Sequence, residues 1–518
     1  MSKTRTLAAA VAAAVTGGAI AGTGPSSSAS PYVTPVAPGV SVTAILTVGD
    51  SVNAKPDGSP YRMVGIPDGL GVYDKGDGSM VVLMNHELGA GAGIARAHGS
   101  AGAFVSEWTL RKSDLAVLGG RDLIQQVNLW TGSAYAASAA SFARLCSADL
   151  AAPTAFYNSK TGLGTTARLF MNGEENGPTG RAFAHVATGA NAGTSYEFFK
   201  LGRASWENVV ANPYEQNRTV VVGLDDTHPD SAPGKGQLSL YVGMKRDSGN
   251  EMERAGLTDG TRFYVSVAGA AGAKEGRTTG IATGTKFSLT TDAGQGTSFL
   301  RPEDGAWDAK NPSKFYFVTT DRFDSVKDGS GGTQVGRSRL YSLTFDDIAN
   351  PEAGGTVKQE LDGTGPTQML DNLTVAGDGT VIIQEDPGGN PHNAKTWRYD
   401  PATGRLTMLL ESDVARFGRR DGTAVTPATA PFNNDEENSG VVEVTGMLDG
   451  VGGYDTAHYR YYLGVTQAHY ALGGELVEGG QLYLFAAPVP EPENYAMALA
   501  GLGVLGTVVR RRRNLPAD

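Results

Sequence analysis

Of 518 residues only one, Cys146, is a cysteine, which excludes an internal disulfide and any centre built from several thiolates. Cationic residues are also scarce: 43 Lys and Arg stand against 54 Asp and Glu, a net charge of −11. That balance disfavours sequence-independent binding to phosphate backbones, so a nucleic acid is not an expected partner. Charged residues of both signs make up just 19% of the chain, too few for a coiled coil or a helical bundle. No G-x-S-x-G occurs and the seven histidines show no Ser-His-Asp arrangement, which argues against a serine hydrolase. What is abundant is glycine: 71 residues, accompanied by 25 prolines, require many turns and short elements. With 40% hydrophobic residues the chain still buries a large core. The expectation is an all-β protein rich in turns.

The ends differ from the body. Lys3 and Arg5 precede an uncharged run over residues 7–20, with small residues at Ala19 and Ala21, the pattern of a secretory signal peptide cleaved near Ala21. Residues 22–38, rich in Ser, Pro and Gly, read as a flexible leader. At the other end Pro490-Glu491-Pro492 is followed by an apolar stretch over residues 495–509 and then by Arg510 to Arg513. Such a stretch, about 22 Å as a helix at ~1.5 Å per residue, is a marginal membrane anchor with its basic cluster held in the cytoplasm. This order resembles the PEP-CTERM sorting signal of Gram-negative bacteria. The resemblance implies an exosortase as partner, at least transient anchoring in the membrane, and delivery to the cell surface or matrix. Residues 1–30 are thus assigned to signal and leader, 31–489 to a β domain, and 490–518 to the sorting signal with a short transmembrane helix.

The body repeats one arrangement. Apolar runs of strand length end in carboxylates: MVVLMNHE (80–87), ARLFMNGEE (167–175), RTVVVGLDD (218–226), KFYFVTTD (314–321) and TVIIQED (380–386). They interleave with a second set, GQLSLYVG (236–243), SRLYSLTF (338–345), TWRYD (396–400) and GQLYLF (480–485). Two-strand units recurring over most of the chain predict a β-propeller, with six blades expected. Carboxylates at equivalent strand ends then converge on one mouth of the channel. Their mutual repulsion is relieved by a bound cation, and oxygen donors select Ca²⁺, Mg²⁺ or Mn²⁺, with ferric iron compatible. The alternative is that these acids merely terminate strands in solvated turns. In SFLRPEDGAWD, Arg301 and Glu303 share one face of an extended segment, so a cation and an acid stand side by side there; a surface ion pair around the proline is the other reading. Glu207 in SWENVVANP is either a structural carboxylate or a ligand. Asp371-Asn372 and Glu385-Asp386 bracket a hairpin turning at Asp378-Gly379. His86 either orients Glu87 or is a hydrogen-bonded structural residue.

In their order, GIPDGLGVY, VVLMNHELG, RLFMNGEENG, GRASWENVV, TVVVGLDDT with GQLSLYVG, LRPEDGAWD and MLDNLTVAGDGTVIIQED resemble the PhoX-type alkaline phosphatases and their uncharacterised relatives, over residues 66–386. The resemblance implies a six-bladed propeller holding calcium and iron at the channel mouth and hydrolysing phosphate monoesters. It implies Glu87, Glu174, Glu175, Glu207, Asp226, Glu303, Asp371 and Glu385 as metal ligands, Asn372 beside them, and Arg301 and Glu303 as catalytic residues. Two departures stand out: Pro67 occupies the place of the family's cysteine ligand, and Trp206 that of the histidine before Glu207. Calcium is therefore the expected cofactor and iron is disfavoured, with Cys146 read as a small apolar residue. The substrate expected is a small phosphate ester. Two other readings stay open, another calcium-dependent propeller hydrolase (a lactonase or phosphotriesterase) and a non-catalytic matrix protein that calcium only stiffens.

Overall fold

A computed structural model describes residues 20–324, 327 and 337–490. Six innermost strands, Pro67–Asp74, Leu145–Leu150, Trp206–Ala211, Pro302–Trp307, Leu370–Val375 and Glu436–Glu443, each start an antiparallel meander that runs outward as one blade. Neighbouring inner strands pack side by side in chain order and the sixth packs against the first. The result is a closed six-bladed β-propeller. Blades three and four are joined at their rims, where Lys286–Thr290 pairs with Gly355–Leu361.

Closure uses both ends of the domain. In the sixth blade the C-terminal strands Glu436–Glu443, Tyr459–Gly473 and Val477–Pro488 are completed by Ser41–Thr47, which pairs antiparallel with Val477–Pro488. Val33–Pro35 adds a further strand to the edge of the fifth blade. The segment expected to be a flexible leader is therefore largely part of the fold. Tyr32 is buried among Phe417 and Phe432, and Ser26 Oγ accepts from the backbone N–H of Val117. Ile20–Thr23 lies parallel to Ser41–Thr47 at the outer edge of the blade. The expected signal peptide lies, but for residues 20 and 21, outside the described residues.

Instead of one core the molecule has a hydrophobic cluster in every gap between blades. The strand Ser79–His86 shows how. Side chains alternate across a strand, so Met80, Val82 and Met84 pack toward the sixth blade, while Val81 and Leu83 pack toward the second. Strands buried on both faces need continuous apolar runs, and these are the runs that the sequence displays. Trp206, the residue before Glu207, is fully buried in the cluster between blades two and three. Gly173 and Gly223 make room for it, since a Cβ at either would lie within 3 Å of the Trp206 side chain.

Candidate metal centre

The second residue of each inner strand faces the same mouth of the channel: Asp68, Cys146, Glu207, Glu303, Asp371 and Glu437. Local backbone geometry supports this. In the first five blades one extra residue is inserted directly behind the first ladder pair, between Pro67 and Leu70, Leu145 and Ala148, Trp206 and Val209, Pro302 and Gly305, and Leu370 and Leu373. Such bulges kink a strand and re-aim its side chains. In the sixth blade the bulge comes later, between Ser439 and Val441. It is formed by Gly440 at φ +68°, where a Cβ would sit 2.6 Å from the Asp68 carbonyl oxygen.

A second ring comes from the residue after the second strand in the first five blades, and from His469 within the second strand Tyr459–Gly473 in the sixth. Glu87, Glu175, Asp226, Thr320, Asp386 and His469 donate their backbone N–H to the residue just before an inner strand, respectively Ile66, Arg144, Ser205, Arg301, Met369 and Asp435, at 2.8–3.1 Å. Four of those preceding residues, Ile66, Arg144, Arg301 and Met369, have left-handed backbones with φ between +38° and +60°. For residues other than glycine this costs about 1–3 kcal/mol each and marks functional sites. Two of the four are arginines at equivalent positions, on the rim of the bowl. Arg301 forks onto Asp226 (Nε–Oδ1 2.8 Å, Nη2–Oδ2 2.9 Å) and onto Glu303 (2.8 Å). Arg144 reaches Glu87 at 2.8 Å and also pairs with Glu175.

The bowl thus holds nine carboxylates, one thiol and two guanidiniums. Burial and mutual repulsion act on the acids accordingly. Burial, then Asp226, pushes Glu207 up to about 8 and Glu175 up to about 9. Burial, then Glu437, raises Asp386 to about 7 and lifts Asp68 and Asp371 well above the usual carboxylate range. Glu303 is raised the same way by burial and Asp226. Glu437 is buried as well, yet His469 and Ser439 hold it low. His469 is itself pushed up to about 11, against its burial, by Glu437 and Glu478. The donor atoms form four groups with spacings within 4.8 Å: Asp68, Glu87 and Cys146; Cys146, Glu175 and Glu207; Glu207, Asp226 and Glu303; Asp371, Asp386 and Glu437.

Glu87, Glu175, Glu207, Asp226, Arg301, Glu303 and Asp371 therefore come together at the mouth. Glu174 and Glu385 do not. Glu174 is gripped by Arg181 through both oxygens (2.6 Å), and Glu385 accepts from Trp397 Nε1 (2.8 Å) and meets His392 (2.8 Å). Asn372 points below the bowl. His86 is enclosed, with Nδ1 on the Gly65 carbonyl, Nε2 on Ser106 and its ring stacked on Phe104, and burial lowers it to about 3. Cys146, read as a small apolar residue, is buried in the bowl with its Sγ 3.6 Å from Glu175 Oε2, and burial followed by Glu207 pushes the thiol up. Asp68, Arg144, Asp386 and Glu437 complete the bowl without having been singled out as ligands. A signal for Glu437 was available, because DEEN (435–438) echoes GEEN (173–176).

Residues 488–513 match the PEP-CTERM protein-sorting motif, a signal for export and C-terminal anchoring; all but its first three residues lie outside the described ones. Among the described residues no helix is long and apolar enough to cross a membrane. No curated protein matches the sequence. Among solved structures, Pseudomonas fluorescens PhoX in complex with vanadate, a transition state analogue, covers 89% of this chain and 97% of its own at 11% identity, with a TM-score of 0.55. In fold, the chain is similar to PhoX. Trypanosoma rangeli sialidase (TM-score 0.34, 11% identity, 92% of this chain and 62% of that one) and the α-L-arabinofuranosidase of Podospora anserina in complex with cellotriose (0.31, 11%, 85% and 96%) are more distant from it.

Proposed function

We propose that the chain is an exported phosphatase that hydrolyses phosphate monoesters over a cation-loaded bowl. The observation that carries this reading is the convergence of nine carboxylates and a thiol on one mouth, with two arginines at equivalent strained positions on its rim. So many buried acids opposed by two guanidiniums fit a site for several cations. The two all-oxygen groups, Glu207–Asp226–Glu303 and Asp371–Asp386–Glu437, suit calcium. The two groups that share Cys146 add a soft thiolate to the oxygens, a donor set that iron accepts too. Bound cations supply positive charge and Lewis acidity against the phosphoryl oxygens.

The chain's own residues do the rest. Arg144 and Arg301 use Nε and Nη2 in their carboxylate pairs, leaving Nη1 outside them. Their side chains are 51% and 29% exposed, so a ligand from solvent reaches them first. A planar guanidinium matches a phosphoryl group in shape and charge. It stabilises the charge spread over the equatorial oxygens of a metaphosphate-like transition state. Glu303 and Asp226 fix the Arg301 fork in place.

The test is direct. The purified full chain is subjected to elemental analysis and assayed on p-nitrophenyl phosphate, a phosphodiester and a lactone, with and without calcium. Cation-dependent hydrolysis of the monoester, abolished in Glu303→Ala, supports the proposal. Calcium uptake with strong thermal stabilisation and no turnover would overturn it in favour of a structural matrix protein, and turnover of the diester or lactone alone would favour a different hydrolase.

A further inference from the structure

Directly beneath the bowl, the inner strands contribute a second polar layer, and its hydrogen bonds fall into two separate networks. One runs across blades three, four and five. Asn208 Nδ2 donates to Asp304 Oδ1 (2.5 Å), and Asp304 Oδ2 accepts from the backbone N–H of Leu373 (3.0 Å); neither side chain is bonded to a carboxylate of the bowl. The other centres on Asn372, which is 1% exposed. Its Nδ2 donates to Ser147 Oγ (2.5 Å) and to Asp68 Oδ1 (3.3 Å). Ser147 passes the contact on by donating to Glu207 Oε1 (2.8 Å). On the far side, Ser439 Oγ lies 2.9 Å from Asn372 Oδ1 and 2.5 Å from Glu437 Oε1, its single proton available to either.

Asp68, Glu207 and Glu437 between them belong to all four donor groups. With the Ser439 proton on Glu437, the amide touches three of the four groups, the first directly at Asp68 and the second and third through Ser147 at Glu207. We infer that Asn372 is a positioning residue of the bowl, holding Asp68 and Glu207, and with them one carboxylate in three of the four donor groups, in the orientation that a cation meets. The inference rests on the cation-loaded reading of the site. Carboxylates that rotate freely repel one another apart; fixing them in advance removes that reorganisation from the binding step. Outer partners of this kind typically change affinity about 10–100-fold when removed.

Calcium alone is the probe, titrated calorimetrically into the chelator-stripped full chain, with thermal midpoints measured in chelator. Asn372→Ala is expected to weaken calcium binding about 10–100-fold, and Ser147→Ala, which cuts only the relay to Glu207, by a smaller factor. Asn208→Ala, equally buried in the same layer, should lower the midpoint comparably and leave calcium affinity unchanged. If Asn372→Ala does not fold, Ser147→Ala decides. Affinities of these variants within about twofold of the parent protein, at a parent that does bind calcium, overturn the inference and spare the proposed function. A parent that takes up no calcium overturns both. Equal losses in Asn208→Ala and Asn372→Ala would make the effect one of general packing and also overturn it.

Discussion

The same six inner strands line the channel from end to end, yet their two halves share almost nothing. Near the start of five of the strands stands a bulge, four of the six are led by a left-handed residue, and five of the six point an acid at the mouth. Toward the other end the ladders are regular, and a cavity of about 270 Å³ is lined mainly by residues such as Gly71, Val72, Ala306, Val375 and Val442. One half tolerates strain and repulsion, and the other half supplies the packing that offsets them. The contrast locates the division between site and scaffold inside individual strands, within three or four residues of one another.

If the division is real, substitutions on the two sides should fail in different ways. The largest effect is expected from Glu207→Gln, because Glu207 serves two donor groups. It should reduce the metal content by more than one ion per chain and lower monoesterase kcat/KM at least about a hundredfold, the scale of losing one preorganised charge-stabilising group; an unchanged metal content removes Glu207 from the site. Next comes the pH dependence of the metal-free protein. Glu207, Glu175 and Asp386 are raised to about 8, 9 and 7. Between the usual carboxylate range and those values the folded chain keeps protons that the unfolded chain has released. Its stability therefore falls as pH rises from about 5 to 9. Thermal midpoints in chelator should drop across that window, and excess calcium should flatten the slope; a flat metal-free profile would contradict the crowding of acids.

The scaffold half is probed by Gly71→Val. A side chain there would come within 2.8 Å of Leu150 and the Phe170 ring, so overpacking should cost about 1–3 kcal/mol of stability while calcium affinity, measured by titration, stays the same. The smallest effect belongs to Thr320→Ala. Thr320 holds in blade four the position that is an acid in blades one, two, three and five, so its loss should leave calcium affinity within about twofold.

Much of this arrangement was legible beforehand, and the parts that were not have specific causes. The second strands are buried on both faces, so their apolar runs and terminal acids announce both the blades and half of the bowl. The inner strands are harder to read because a bulge interrupts the alternation on which strand reading depends; Glu207, Glu303 and Asp371 were picked out there all the same, Asp68 was not, and Cys146 was read as a small apolar residue. Doubled acids misled for the opposite reason. In Glu174-Glu175 and Glu385-Asp386 successive side chains point to opposite sides, so only the second of each reaches the mouth, and the first ties down a neighbouring loop. Arg144 was hidden because its role depends on a left-handed backbone that no periodicity reveals. The leader looked disordered by composition, but its few apolar residues, Tyr32 and Val33 among them, are enough to dock it.

The ring is fastened by a strand from the beginning of the domain lying against one from its end. Asp68, from the first blade, and Glu437, from the last, meet Gln467 Nε2 at 3.3 Å each, so the bowl exists only when chain separated by some 400 residues has been brought together. A polypeptide threaded across a membrane from its N-terminus emerges with fragments of the donor set and never a whole one until its final blade is through. Assembly of the donor set thereby coincides with the end of translocation, and under the proposed function any cation would be taken up only in the compartment in which the last strand arrives.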